Sequence, residues 1–360
     1  MKNKIKSREN ILIQSDTSSL FIIPLRETFF YLLFLLLPAS IYGCSSLEVT
    51  DNSSAPPDKS EKAYLKSSMT IGDNISSLDI FSFNDDALER LDSYQRFDKG
   101  EFSDNQCRIG TSAGKKRVII LANAPFDRYE WADINCSNAL DKKIFDLEDE
   151  DPDYPLMMGD YRIVAGETFH PEMEAMTGEV ILRSLRCNFS DRSYSGEKLT
   201  DIKVYLTNVS ASCGIWKHED GAPSRIINTG KLNLDDIRGF SFPQLIYQTY
   251  DSPVGDEIEY PEIHLRGFDS CHQEESIGTP FTRLVIEGKL KGHTYYYPIA
   301  VNRGSETESS GFRRNTRYIY DITITRTGLT DPDGIIYEDP FNIDLTIEKW
   351  QEKDWYDIRF

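Results

Sequence analysis

The chain has 360 residues, with 59 acidic against 40 basic side chains and a formal net charge of −19. That length suits one large or two ordinary domains, and a hydrophobic content of 39% excludes a disordered chain. The acidity excludes a nucleic-acid binder, because neutralising phosphates needs clustered Lys and Arg, and no unbroken apolar run is long enough for a membrane-spanning helix.

The first element is apolar. Residues 29–37 read Phe-Phe-Tyr-Leu-Leu-Phe-Leu-Leu-Leu, preceded by Lys2, Lys4, Lys6, Arg8 and Arg26. A basic stretch, a short apolar core and then small residues form the pattern of an export signal. Nine helical residues span only about 14 Å, against a hydrocarbon layer of roughly 30 Å. The core gives way at Pro38 to Ala39-Ser40-Ile41-Tyr42-Gly43-Cys44, which resembles a bacterial lipoprotein box. The resemblance implies that residues 1–43 are a signal peptide and that Cys44 is the acylated first residue of the mature chain. Several acyl chains anchor firmly where one binds marginally. An ordinary signal peptide, with Cys44 coincidental, is the competing reading, and the long basic region leaves open a start downstream of Met1. Removing residues 1–43 takes away five basic and three acidic side chains, which leaves about −21. Residues 44–62 are rich in Ser, Pro and charge and read as a flexible tether.

Beyond the tether the dominant period is two, the signature of strands. Strands are expected over 78–83, 117–123, 179–189, 201–209, 282–287, 293–301, 317–326 and 341–350. In the clearest of them Tyr318, Tyr320, Ile322 and Ile324 line one face. Helical spacing is expected only over 85–97, through Leu88, Leu91 and Tyr94, and over 131–140. Many short strands without βαβ alternation predict an all-β protein of two antiparallel sandwiches with a few short helices. Turn composition places the division between 63–217 and 218–360.

Chemistry-bearing motifs are scarce. Neither GxSxG, HExxH, a Walker loop nor GxGxxG occurs, and the five histidines are dispersed, so no enzyme, cofactor or metal site is expected. Cys271-His272 lacks the further ligands a zinc site needs. Residues 146–153 (DLEDEDPD) read as a solvated acidic loop, and Asp331-Pro332-Asp333-Gly334 as a turn, rather than calcium sites. Cys107, Cys136, Cys187, Cys213 and Cys271 are an odd five without CxxC spacing. One or two disulfides or buried free thiols fit equally.

Several stretches in order carry a family resemblance: Val-Ile-Ile-Leu-Ala-Asn-Ala-Pro over 118–125, the apolar Met157-Met158-Gly159 turn, LTDIKVYLTNV over 199–209, and Arg314-Asn315-Thr316-Arg317-Tyr318 before a closing strand that ends at Trp350. With the lipoprotein front end, they resemble the fimbrillin family of Bacteroidetes, the subunits and anchors of type V pili. The resemblance covers roughly 60–360. It implies two transthyretin-like β-sandwich domains, a location on the outer membrane or in the fimbrium, and other fimbrial subunits as partners. A host or bacterial surface ligand is a further implied partner. In stalk subunits of that family a protease specific for Arg or Lys removes the first strand, and a neighbour's C-terminal strand fills the groove. The physics is strand addition, with backbone bonds giving affinity and alternate side chains giving register.

Mapped onto this chain, the resemblance implies a first strand over 63–69, and the strand-exchange candidates are Ala63 and Leu65 in it and Phe341, Ile343, Leu345 and Ile347 in the last strand. The expected cutting loop, 70–77, contains no Arg or Lys. This departs from the stalk pattern and points to an anchor or accessory subunit, with a proteolytically matured stalk or tip subunit as the alternative. The last strand reads either as a donor or as the closing strand of its own sandwich, capped by Trp350 and Trp355. A rival of another class is a glycan-binding lipoprotein that presents Tyr295, Tyr296 and Tyr297 to a sugar.

Overall fold

In the computed structural model the described residues are 62–68, 74–101, 106–129, 131–189, 193–216, 225–256, 260–270, 280–302, 311–334 and 341–350. Cys44, Cys271, His272 and Trp355 lie outside them. The first half of the fold comprises β1 (Lys62–Ser68), β2 (Ser77–Asn84), β3 (Leu91–Asp98), β4 (Gln106–Ser112), β5 (Lys115–Ala122), the short helix α1 (Ser137–Asp141), β6 (Ile144–Asp146), β7 (Met157–Val164), β8 (Thr168–Phe169) and β9 (Glu174–Ala175). A five-stranded sheet runs β3-β2-β5-β7-β9, and a three-stranded sheet runs β4-β1-β8. Alternation explains how they pack. Leu78 and Ile80 of β2 and Val118 and Ile120 of β5 share one core cluster with Cys107 and Ile109 of β4, while Phe81, Phe83, Ile119 and Leu121 enter a second, larger one.

The second half comprises β10 (Thr177–Cys187), β11 (Thr200–Thr207), β12 (Val209–Ser210), β13 (Ser212–Gly214), β14 (Ile226–Ile227), β15 (Tyr247–Tyr250), β16 (Ile263–Phe268), β17 (Arg283–Leu290), β18 (His293–Ala300), β19 (Thr316–Ile324) and β20 (Phe341–Lys349). A six-stranded sheet runs β14-β12-β16-β10-β19-β20, and a four-stranded sheet runs β15-β11-β17-β18. Val180 and Leu182 (β10), Tyr318 and Tyr320 (β19), Val204 and Leu206 (β11) and Leu284 and Ile286 (β17) meet in the larger cluster. The chain is thus all-β, and all nine expected strands are present.

Four expectations change. The helix expected over 131–140 is confined to Ser137–Asp141. Residues 91–98 form β3 instead of a helix, because Asp92, Tyr94 and Arg96 also alternate, and Tyr94 and Arg96 grip the buried Asp79 carboxylate at 2.7 and 2.8 Å. Met157-Met158-Gly159 opens β7 and is not a turn. The run 146–153 is no solvated loop. Glu150 is fully buried against Arg266 and Thr177, while Glu148 and Asp149 pair with Arg225 and Arg128. Sheet membership also cuts across a division at 217/218. β10 and β11 are bonded into sheets whose other strands, β12 apart, come from beyond residue 225, while strands up to β9 pair among themselves apart from β6 with β13. The long-range parallel pairing of β10 with β19 decides this, and turn composition carries no trace of it.

Candidate functional site

The two strands singled out for exchange sit differently in their sheets. β1 is an interior strand. It pairs antiparallel with β4, Ala63 opposite Thr111 and Leu65 opposite Ile109, and parallel with β8, Lys66 opposite Thr168. Of the β4 residues it faces, Cys107, Ile109 and Thr111 are buried, and Arg108, Gly110 and Ser112, which alternate with them, are exposed.

β4 is in turn tied to the five-stranded sheet by polar groups that no local motif announces. Asp92 of β3 accepts hydrogen bonds from the Ser112 amide (2.7 Å), the Ser112 hydroxyl (2.8 Å) and the Thr111 hydroxyl. It also pairs at 3.1 Å with Lys116 of β5, whose side chain is 1% exposed. Lys116 donates further to Asn84 and Ser112, so its buried ammonium is fully satisfied. Burial alone would raise the Asp92 carboxyl, but the bonds from Thr111, Ser112 and Lys116 outweigh it and bring it down to about 2.

β20 is an edge strand. Among the described residues it pairs only with β19, in the register Phe341–Ile324, Ile343–Ile322, Leu345–Tyr320 and Ile347–Tyr318. Those four β19 side chains are buried in the core. Leu345 and Ile347 nevertheless remain 41% and 51% exposed.

What fixes the end of β20 is a charged joint. The Trp350 amide donates to the Asn315 carbonyl at 2.9 Å, and its ring, 5% exposed, lies against the guanidinium groups of Arg266 (4.6 Å) and Arg317 (5.0 Å). Glu179 on β10 accepts from Arg317 at 2.8 Å, lies 3.5 Å from Arg266 Nε and meets His264 Nδ1 at 3.1 Å. Arg266 also donates to Glu150 and to the carbonyls of Asp151 and Pro152. Burial would raise the Glu179 carboxyl, yet His264 and the two arginines hold it below the ordinary range. Glu150 is raised by burial despite Arg266. The same Glu179 contact raises His264 against its own desolvation.

This joint explains the Arg314-Asn315-Thr316-Arg317-Tyr318 segment. Arg314 is buried and donates to the Ile215 carbonyl at 2.9 Å; Asn315, at a φ of 53°, receives the Trp350 amide; Arg317 reaches Glu179 and Trp350. The tyrosine triplet is split. Tyr297 is buried in the core and donates to the Arg326 carbonyl, while Tyr295 and Tyr296 are half-buried on either side of the strand. Cys107 and Cys187 are buried free thiols, pushed up by burial to about 11 and about 12, and Cys213 is a half-buried one. Sequence reasoning missed Asp92, Lys116, Glu150, Glu179 and Arg266. Only Asp92 carried a signal, the alternation through Tyr94 and Arg96.

No protein-family model and no curated protein matches the sequence. Solved structures do match. The chain is similar to a fimbrilin from Porphyromonas gingivalis W83, with a TM-score of 0.56, 13% identity, and coverage of 80% of this chain and 97% of that one. A candidate cell adhesion protein from Parabacteroides distasonis ATCC 8503 gives 0.57 and 14%, covering 82% and 99%. Another from Bacteroides eggerthii DSM 20697 gives 0.57 and 13%, covering 81% and 96%. At such identities the likeness is one of fold. From β1 to β20, the chain has the all-β fold of these fimbrial and adhesion proteins.

Proposed function

We propose that the protein is a cell-surface fimbrial subunit, acting as an anchor or accessory component and assembling with other subunits by strand addition. In this reading Cys44 carries lipid in the outer membrane and residues 44–62 hold the folded part away from it. The observation that carries the reading is the setting of β1. It is hydrogen-bonded on both sides, and residues 69–76, which lead to β2, contain no Arg or Lys for a basic-specific protease. A strand that is never cut stays attached to the lipid. The open side of β20, with Leu345 and Ile347 exposed beside it, is the edge on which a partner's strand would add.

The intact mass of the protein from its native envelope tests this. Acylated Cys44 continuous with β1 is the expected result. Loss of everything before about residue 70 would replace this reading with that of a polymerising stalk or tip subunit. The glycan-binding reading has little support, since Tyr297 is committed to the core.

A further inference from the structure

The Ala122-Asn123-Ala124-Pro125 segment ends β5, and the account so far gives its asparagine no role. Asn123 has a φ of 64°, in the left-handed region that Asn tolerates better than most side chains. This turn swings the side chain toward the connection between β1 and β2. Its Oδ1 accepts from the Ser76 amide at 2.8 Å and from the Ser76 hydroxyl at 3.0 Å. Its Nδ2 donates to the Asn74 carbonyl at 3.0 Å and to the Pro155 carbonyl at 2.7 Å. The backbone amide of Asn123 adds a bond to the Ser77 carbonyl at 3.0 Å. A primary amide has two donor hydrogens and two acceptor lone pairs, and all four are engaged here. Between the bonded residues, Ile75 is inserted into the core cluster shared by the two sheets.

We infer that Asn123 is a staple that holds the end of the β1–β2 connection shut, joining it to the end of β5 and to the chain entering β7. The inference rests on the reading that β1 is retained, and supplies a second reason for it. A protease must draw an extended segment into its cleft. Residues 74–76, bonded to Asn123, are available to such a cleft only after the staple opens, whatever the enzyme's sequence preference. The missing Arg and Lys remove the cutting signal, and Asn123 removes the access.

The test uses the full folded chain and Asn123→Gly, which keeps the left-handed backbone without strain while removing all four side-chain bonds. Hydrogen exchange should show the Ser76 amide protected in the parent and about tenfold or more faster in the variant, the effect of one lost hydrogen bond. Subtilisin, a broad-specificity protease, should cut within 74–76 faster by a similar factor, with β17–β19 protection unchanged. Three results would each overturn the inference: unprotected Ser76 in the parent, exchange and cleavage unaltered in the variant, or protection lost equally in β17–β19. Amides of β1 in the parent report separately on strand retention. Fast exchange there beside a slow Ser76 would sink the proposed function and leave the staple standing.

Discussion

β1 and β20 are both strands at a terminus of the fold, and they are retained by different physics. β1 lies between two neighbours, so leaving would break two ladders, and its partner strand β4 is fixed independently through Asp92 and Lys116. β20 has one neighbour and two exposed apolar residues, and is closed at its end by Trp350 between charged partners. An interior strand is held by its ladders and an edge strand by its terminal anchor. Removing the anchor should therefore loosen β20 while leaving β1 in place.

The largest effect is expected from Arg266→Ala. It leaves Glu150 and Glu179 buried without their shared guanidinium and should cost about 3–5 kcal/mol in denaturant melts. Trp350→Ala should cost about 3 kcal/mol, and exchange should accelerate along β20 and not along β1. Equal acceleration in both would dissolve the contrast. Asp92→Asn should cost about 1–3 kcal/mol, with β4 and β1 loosened and β20 unaffected.

The pH response sharpens the same point. The Asp92 carboxyl lies at about 2 in the folded chain, below its ordinary value, so its contribution is present above roughly pH 4 and is lost as pH falls toward 2. In that window β4 amides should lose protection in the parent, and Asn at position 92 should abolish the dependence. The smallest effect on stability belongs to the pair Leu345→Ser and Ile347→Ser. Both residues are exposed, so each change should stay within about 0.5 kcal/mol. Light scattering of the protein mixed with partner subunits would show whether the same pair abolishes association at the β20 edge.

Much of this fold was legible in the sequence because strands carry their own period. Residues 317–326 read as a strand for the same reason that Tyr318, Tyr320, Ile322 and Ile324 are buried. β3 was misread because Leu88, Leu91 and Tyr94 also fit a helical spacing, and only the pairing with β2 and the buried Asp79 decides between the two periods. The candidate strands were found, but what holds them was not. Glu150 and Arg266 stand 116 positions apart, and an acidic run looks the same in sequence whether it meets water or an arginine. Trp350 was visible as a cap, while the two arginines against it come from separate strands, β16 and β19.

The parallel pairing of β10 with β19 has a consequence for how the chain reaches this state. Glu179 and Arg317, which face each other across that pair, are 138 positions apart, so the centre of the six-stranded sheet cannot close until nearly the whole chain is present. Contacts of such separation must overcome a large loop-closure entropy before they stabilise anything, which makes folding slow. The five-stranded sheet β3-β2-β5-β7-β9 needs no strand beyond β9, so it can close while the six-stranded sheet still waits for its last strands.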